Sequence, residues 1–111
     1  MFKRIAIQKP AGFDEKLQSF LQGCQKISDD YMDRMGFKGH PKIESTFGGR
    51  YVRVIRTEPG TRSAHCFVDM SNGDVLKADG WTAPAKGVRG NIFDEKNGLG
   101  RMGEYGPAYN K

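Results

Sequence analysis

Cysteine and histidine are both scarce. The 111 residues hold two of each, Cys24, Cys66, His40 and His65. They form no Cys-x-x-Cys or His-x-x-x-His pair, which excludes a disulfide-stapled scaffold and the familiar zinc modules. His65 and Cys66 are neighbours in a strand-like run, so their side chains point to opposite faces and do not share an ion. No apolar run approaches the roughly twenty residues that a membrane-spanning helix needs. The first residues, Met1 to Ile7, carry Lys3 and Arg4 but no apolar signal region. A cytosolic chain follows, with both cysteines as free thiols acting as small buried hydrophobes. The Walker spacing is missing, and so is a low-complexity tract or any repeat beyond paired hairpins.

What is present is enough branched and aromatic side chain for one core, and too little chain for two. The net charge is +5, unevenly spread: six basic against five acidic residues through position 37, but eleven against seven from 38 to 101. The excess therefore sits in the second half of the chain and favours an anionic partner. The 15 glycines crowd after Gly80, which marks the C-terminal third as turns and loops.

The chain divides into an arm or short strand over 1–12, a helix over 13–36, antiparallel hairpins over 42–81 and a return segment over 82–111. Phe2 to Ile7 reads as the short strand, broken by Pro10-Ala11-Gly12. Phe13, Leu17, Phe20, Leu21, Cys24, Ile27, Tyr31, Met32 and Met35 recur at spacings of three and four, one apolar stripe on a helix. Asp14 and Glu15 suit its positive end, and Gly36 terminates it. Gly23 costs about 1 kcal/mol against alanine, which points to close contact with the sheet. The opposite side mixes Lys16 and Lys26 with Asp29, Asp30 and Asp33, which excludes a basic membrane-surface helix. Phe37 to Pro41 is a linker.

Lys42 to Asn91 organises the fold. Gly48-Gly49 predicts a two-residue turn setting Ile43 opposite Val54, Ser45 opposite Val52 and Glu44 opposite Arg53. Asn72-Gly73 within Met70 to Asp74 predicts a three-residue loop, with Val68 opposite Leu76, Cys66 opposite Ala78, Phe67 opposite Lys77 and His65 opposite Asp79. A two-residue turn at Pro59-Gly60 would set Val54 beside His65 and mix the faces, so a longer loop is expected there. The core face is then Ile43, Val52, Val54, Ala64, Cys66, Val68, Leu76 and Ala78. The other face carries Tyr51, Arg53, Ile55, His65, Phe67, Lys77 and Trp81. Pro84 opens a helical turn in which Lys86 and Arg89 lie one turn apart, with Ile92 and Phe93 packed inward. Met102, Tyr105 and Tyr109 pin the tail.

Three chemistries fit these residues. His65 with Asp79 and Asp69 makes a usable base, though the same pair equally satisfies a half-exposed histidine. No serine or cysteine stands as a nucleophile on that face. Gly87 to Asn91, with Lys86 and Arg89, offers amides and cations to a phosphate, though most glycine-rich loops are only loops. Tyr51, Phe67 and Trp81 interleaved with Arg53, Lys77, Lys86 and Arg89 supply the stacking rings and backbone cations of a single-strand groove, with Arg50, Arg56 and Arg62 at its rim. The competing reading makes Phe67, Ile55 and Trp81 a second core layer under the C-terminal segment.

Cys66-Phe67-Val68-Asp69, Gly73-Asp74-Val75-Leu76-Lys77-Ala78, Trp81, Pro84-Ala85-Lys86 and Arg89-Gly90-Asn91, with Gly49-Arg50-Tyr51 upstream, form a pattern. It resembles small proteins of unknown function encoded by tailed bacteriophages. Those proteins read Ala-Ser before the tryptophan where this chain has Asp79-Gly80. The resemblance implies a phage protein acting in the cytoplasm of a bacterial host.

The expected architecture is α+β: a long N-terminal helix packed on an antiparallel sheet of about four strands, with an irregular glycine-rich C-terminal segment. The leading functional expectation is nucleic-acid binding, single-stranded, through Tyr51, Arg53, Phe67, Lys77, Trp81, Lys86 and Arg89. A module that occupies a host protein is the alternative. A small-nucleotide binder or enzyme built on His65, Asp79, Lys86 and Arg89 is the third. None of the three calls for a cofactor, a metal or a membrane.

Overall fold

The computed structural model describes residues 9–103 and 106–107. The strand expected over Phe2 to Ile7, and the tail contacts expected of Tyr105 and Tyr109, lie outside them. Helix α1 (Phe13–Met35) precedes strands β1 (Lys42–Phe47), β2 (Tyr51–Glu58), β3 (Thr61–Asp69), β4 (Asp74–Ala78) and β5 (Pro84–Asn91). These five form one antiparallel sheet in chain order, and β6 (Met102–Gly103) and β7 (Gly106–Pro107) form a small second pair. The α+β arrangement is as expected, with one strand more than the four foreseen. No helix among the described residues is long and apolar enough to cross a membrane.

The helix forms for the reasons its sequence gives. Gly12 and Gly36 flank it in the left-handed region, with φ of 78° at each, and Asp14 and Glu15 fill its first turn. Its buried stripe is Phe13, Leu17, Phe20, Cys24, Ser28 and Met32. Leu21, Ile27 and Tyr31 flank that stripe half-buried, and Met35 lies exposed. The stripe packs on Val52, Val54, Cys66, Val68, Val75 and Ile92. Each such side chain, fully buried, contributes roughly 1.5–3 kcal/mol. Both cysteines are free and buried here, and burial pushes the Cys24 thiol up to about 12. Gly23 serves a neighbour other than the sheet: a Cβ there would lie 2.2 Å from Leu99 Cδ1, so the glycine admits the C-terminal segment. Gln25 ties the helix to the sheet edge. Its Oε1 accepts the Ile43 N–H at 2.8 Å and its Nε2 donates to the Pro41 carbonyl at 2.9 Å.

Three registers differ from expectation. Gly48 N–H donates to the Tyr51 carbonyl, and Phe47 pairs with Val52, so the first turn is Gly49-Arg50 and the pairing shifts by two. An even shift keeps every side chain on its face. The second hairpin does turn tightly at Pro59-Gly60, with Glu58 opposite Thr61. Beyond three further pairs, the conflict is resolved by a β-bulge. Ile55 pairs with Ala64 but Val54 pairs with Cys66, leaving His65 as the extra residue. The bulge returns Cys66 and Val68 to the helix side. The third turn is a four-residue loop, not three, closed by Gly73 N–H on the Asp69 carbonyl. Val68 therefore meets Val75 and Phe67 meets Leu76. That odd shift sends Val75 to the core and moves Leu76 and Ala78 to the far side. It also puts Lys77 on the helix side, where it donates to the Pro107 carbonyl at 3.4 Å. Ala64 leaves the core face through the bulge, which sets it opposite Ile55.

Residues 84–91 are a strand, not a helical turn. Gly87, at φ 98°, and two register shifts against β4 fold this edge irregularly. Beyond it Ile92 is buried and Phe93 packs 6.4 Å from Phe13, the inward packing expected. The Asp94 carboxylate accepts the N–H groups of Gly98, Asn91 and Lys96, which hold it below the ordinary carboxylate range.

Candidate nucleic-acid interface

The sheet face turned away from α1 carries Tyr51, Arg53, Ile55, Phe67 and Leu76 by strand alternation. Its centre is not bare: Ile55 is fully buried and Phe67 is 3% exposed. Phe67 is therefore not a stacking platform. Tyr51, half-buried, meets it edge-on at 6.2 Å. The loop after β4 folds across this face. Arg53 Nε donates to the Trp81 carbonyl at 2.7 Å while its guanidinium lies 4.5 Å from the Trp81 ring centroid. Arg62, facing the same way from β3, lies 5.6 Å from that ring. Trp81 remains 40% exposed, so it is a surface ring backed by two cations and not a covered core residue.

A second cation–ring pair stands at the first hairpin. The Arg50 guanidinium lies 5.6 Å from Tyr51, and its Nε and Nη2 donate to Asp69 Oδ2 at 3.1 and 3.0 Å. Asp69 also accepts from the Ser71 N–H and hydroxyl. Burial alone would raise its carboxyl; the Ser71 and Arg50 hydrogen bonds outweigh that and hold it low. Between these two pairs lies a cavity of about 130 Å³ bounded by Thr46, Gly49, Arg50, Tyr51, Arg53, Phe67 and Thr82.

The structure thus brings Tyr51, Arg53, Phe67 and Trp81 together and leaves three expected residues apart. Lys77 is turned to the helix side. Lys86 is exposed on the edge strand β5. Arg89 is 7% exposed and donates to the Gly87 carbonyl of its own strand at 2.9 Å. Arg50 and Arg62, expected only as added charge, stand directly beside the Tyr51 and Trp81 rings. The adjacency of Arg50 to Tyr51 in sequence hid this, because alternation places neighbours on opposite faces, and only the turn at Gly49-Arg50 lets both reach one site.

The proposed base does not assemble. His65 is 3% exposed and neither ring nitrogen finds a hydrogen-bond partner among the described residues, while Asp79 is exposed in the turn after β4. Burial, then the Arg56 and Lys77 charges, lower the imidazole to about 4. With Arg89 buried as well, His65, Asp79, Lys86 and Arg89 do not converge on a nucleotide site. Among the described residues no group of His, Cys, Asp and Glu is placed to hold a metal ion.

Residues 9–105 match the model of a family described as "Family of unknown function (DUF7717)". The chain belongs to this family. No curated protein and no solved structure matches it.

Proposed function

We propose that the protein binds single-stranded nucleic acid along the rim of the far sheet face. The observation that carries this is Trp81, an exposed ring held over Arg53 with Arg62 alongside, Arg53 lying on β2 two residues from Tyr51 of the Arg50–Tyr51 pair. A base laid on Trp81 and another against Tyr51 would each gain roughly 1–3 kcal/mol. The neighbouring guanidiniums meet the phosphates, and Lys86 extends the path along β5. The resemblance to tailed-phage proteins supports a setting in the bacterial host cytoplasm.

The test is anisotropy of a labelled oligonucleotide across a salt series. Each phosphate contact on a single strand contributes about −0.7 to the slope of log affinity against log salt. Contacts from Arg50, Arg53 and Arg62 thus predict a slope near −2. Absent binding, or binding indifferent to salt, overturns the reading. If a stoichiometric protein is instead captured from nuclease-treated bacterial lysate, the host-factor alternative takes its place.

A further inference from the structure

The cavity beneath the first hairpin has a chemistry of its own. At about 130 Å³ it lies below the roughly 300–1,000 Å³ of pockets that enclose a whole ligand and suits one small group. Its lining holds two guanidiniums, from Arg50 and Arg53, and the hydroxyls of Thr46 and Thr82. Arg53 spends only Nε, on the Trp81 carbonyl, and Arg50 spends Nε and Nη2, on Asp69. Among the described residues no hydrogen bond engages Arg50 Nη1, the terminal nitrogens of Arg53 or the hydroxyls of Thr46 and Thr82, all residues that bound the cavity. A phosphate accepts at every oxygen and matches two neighbouring guanidiniums.

Gly49 supplies an independent observation. Its φ is outside the left-handed region, and a Cβ there would meet nothing within 4 Å. Neither backbone strain nor packing requires glycine at this position, yet it bounds the cavity. Close approach of a ligand to the hairpin backbone would account for it. Gly48 differs, since a Cβ there would lie 3.1 Å from the Tyr51 carbonyl oxygen.

We infer that this cavity is a subsite for a terminal phosphomonoester of the bound strand. The inference rests on the nucleic-acid reading above and adds which part of the strand is anchored. An internal phosphodiester carries a sugar on each side and half the charge or a little more; a terminal phosphate carries one sugar and up to two charges, which suits a small cavity between two guanidiniums.

Three oligonucleotides of one sequence decide it: 5′-phosphorylated, 3′-phosphorylated and unphosphorylated, each titrated by anisotropy. One phosphorylated form is expected to bind about tenfold tighter than the unphosphorylated strand. Gly49→Leu and Thr82→Val each erase that gain and leave affinity for the unphosphorylated strand unchanged; Thr82→Ser restores it. Millimolar inorganic phosphate also erases the gain by filling the cavity. Equal binding of all three strands overturns the subsite while leaving the stacking reading intact. A gain that survives both Gly49→Leu and Thr82→Val overturns it too. Failure of every strand to bind overturns both.

Discussion

The buried imidazole of His65 makes this protein acid-labile in a defined window. The unfolded chain protonates a histidine near 6.5, whereas burial beside Arg56 and Lys77 holds His65 at about 4 in the fold. Between those values the unfolded state binds a proton that the folded state refuses. The His65 contribution is therefore full above pH 6.5, falls as the pH drops toward 4 and levels off below that. At about 1.4 kcal/mol per pH unit the whole step is on the order of 3 kcal/mol, a large share of a small domain's 5–15 kcal/mol, roughly stated. Asp69 and Asp94, both held low, add their losses only below about pH 4. The assay is urea unfolding at half-unit intervals from pH 7.5 to 4, run in a His40→Gln background so that His65 is the sole histidine. His65→Leu should flatten the profile. It should also leave stability at pH 7 unchanged or higher, because it replaces an imidazole without hydrogen bonds by an apolar side chain. A profile already flat with His65 present, or a slope that persists in His65→Leu, would refute the reasoning.

Three further outcomes follow from single contacts. Gly98→Ala should destabilise by about 2 kcal/mol or more in chemical denaturation, since the residue has φ 76° and a Cβ would meet Val75, Phe20 and the Asn91 backbone. Gln25→Ala should cost about 1–2 kcal/mol and raise hydrogen exchange at the Ile43 amide, which Gln25 Oε1 accepts. Trp81→Ala should leave the unfolding midpoint in place but weaken oligonucleotide binding by roughly 5- to 150-fold. In the unaltered protein, acrylamide should quench the lone tryptophan readily, as its 40% exposure requires.

Much of the fold was legible because periodicity reports burial directly. The stripe from Phe13 to Met32 and the alternation of Ile43, Val52 and Val54 both follow from it. Register was harder. The bulge at His65 leaves no compositional mark, yet it had an indirect one: a Pro59-Gly60 turn and a clean apolar face are compatible only if one residue is extra. The loop after β3 escaped because Asp69 accepts from the Ser71 N–H and hydroxyl, a side-chain turn that lengthens the loop by one. Strand β5 escaped because PAKGVRGN is poor in strand formers, and its place is set by pairing to β4. At the site, Tyr51, Arg53 and Trp81 were readable from pattern. The burial of Phe67 and Arg89 was not, because alternation names a face without saying what folds across it.

The extra residue in β3 also governs how this chain can change length. Removing His65 would join Ala64 to Cys66 and leave every cross-strand partner of both in place, since Ile55 already faces the one and Val54 the other. Loss of Phe67 instead would set Cys66 and Val68 on successive positions and turn one of them away from the helix. Length variation within this strand among family members should therefore collect at position 65, and a chain lacking it should fold with the same core and without the acid step.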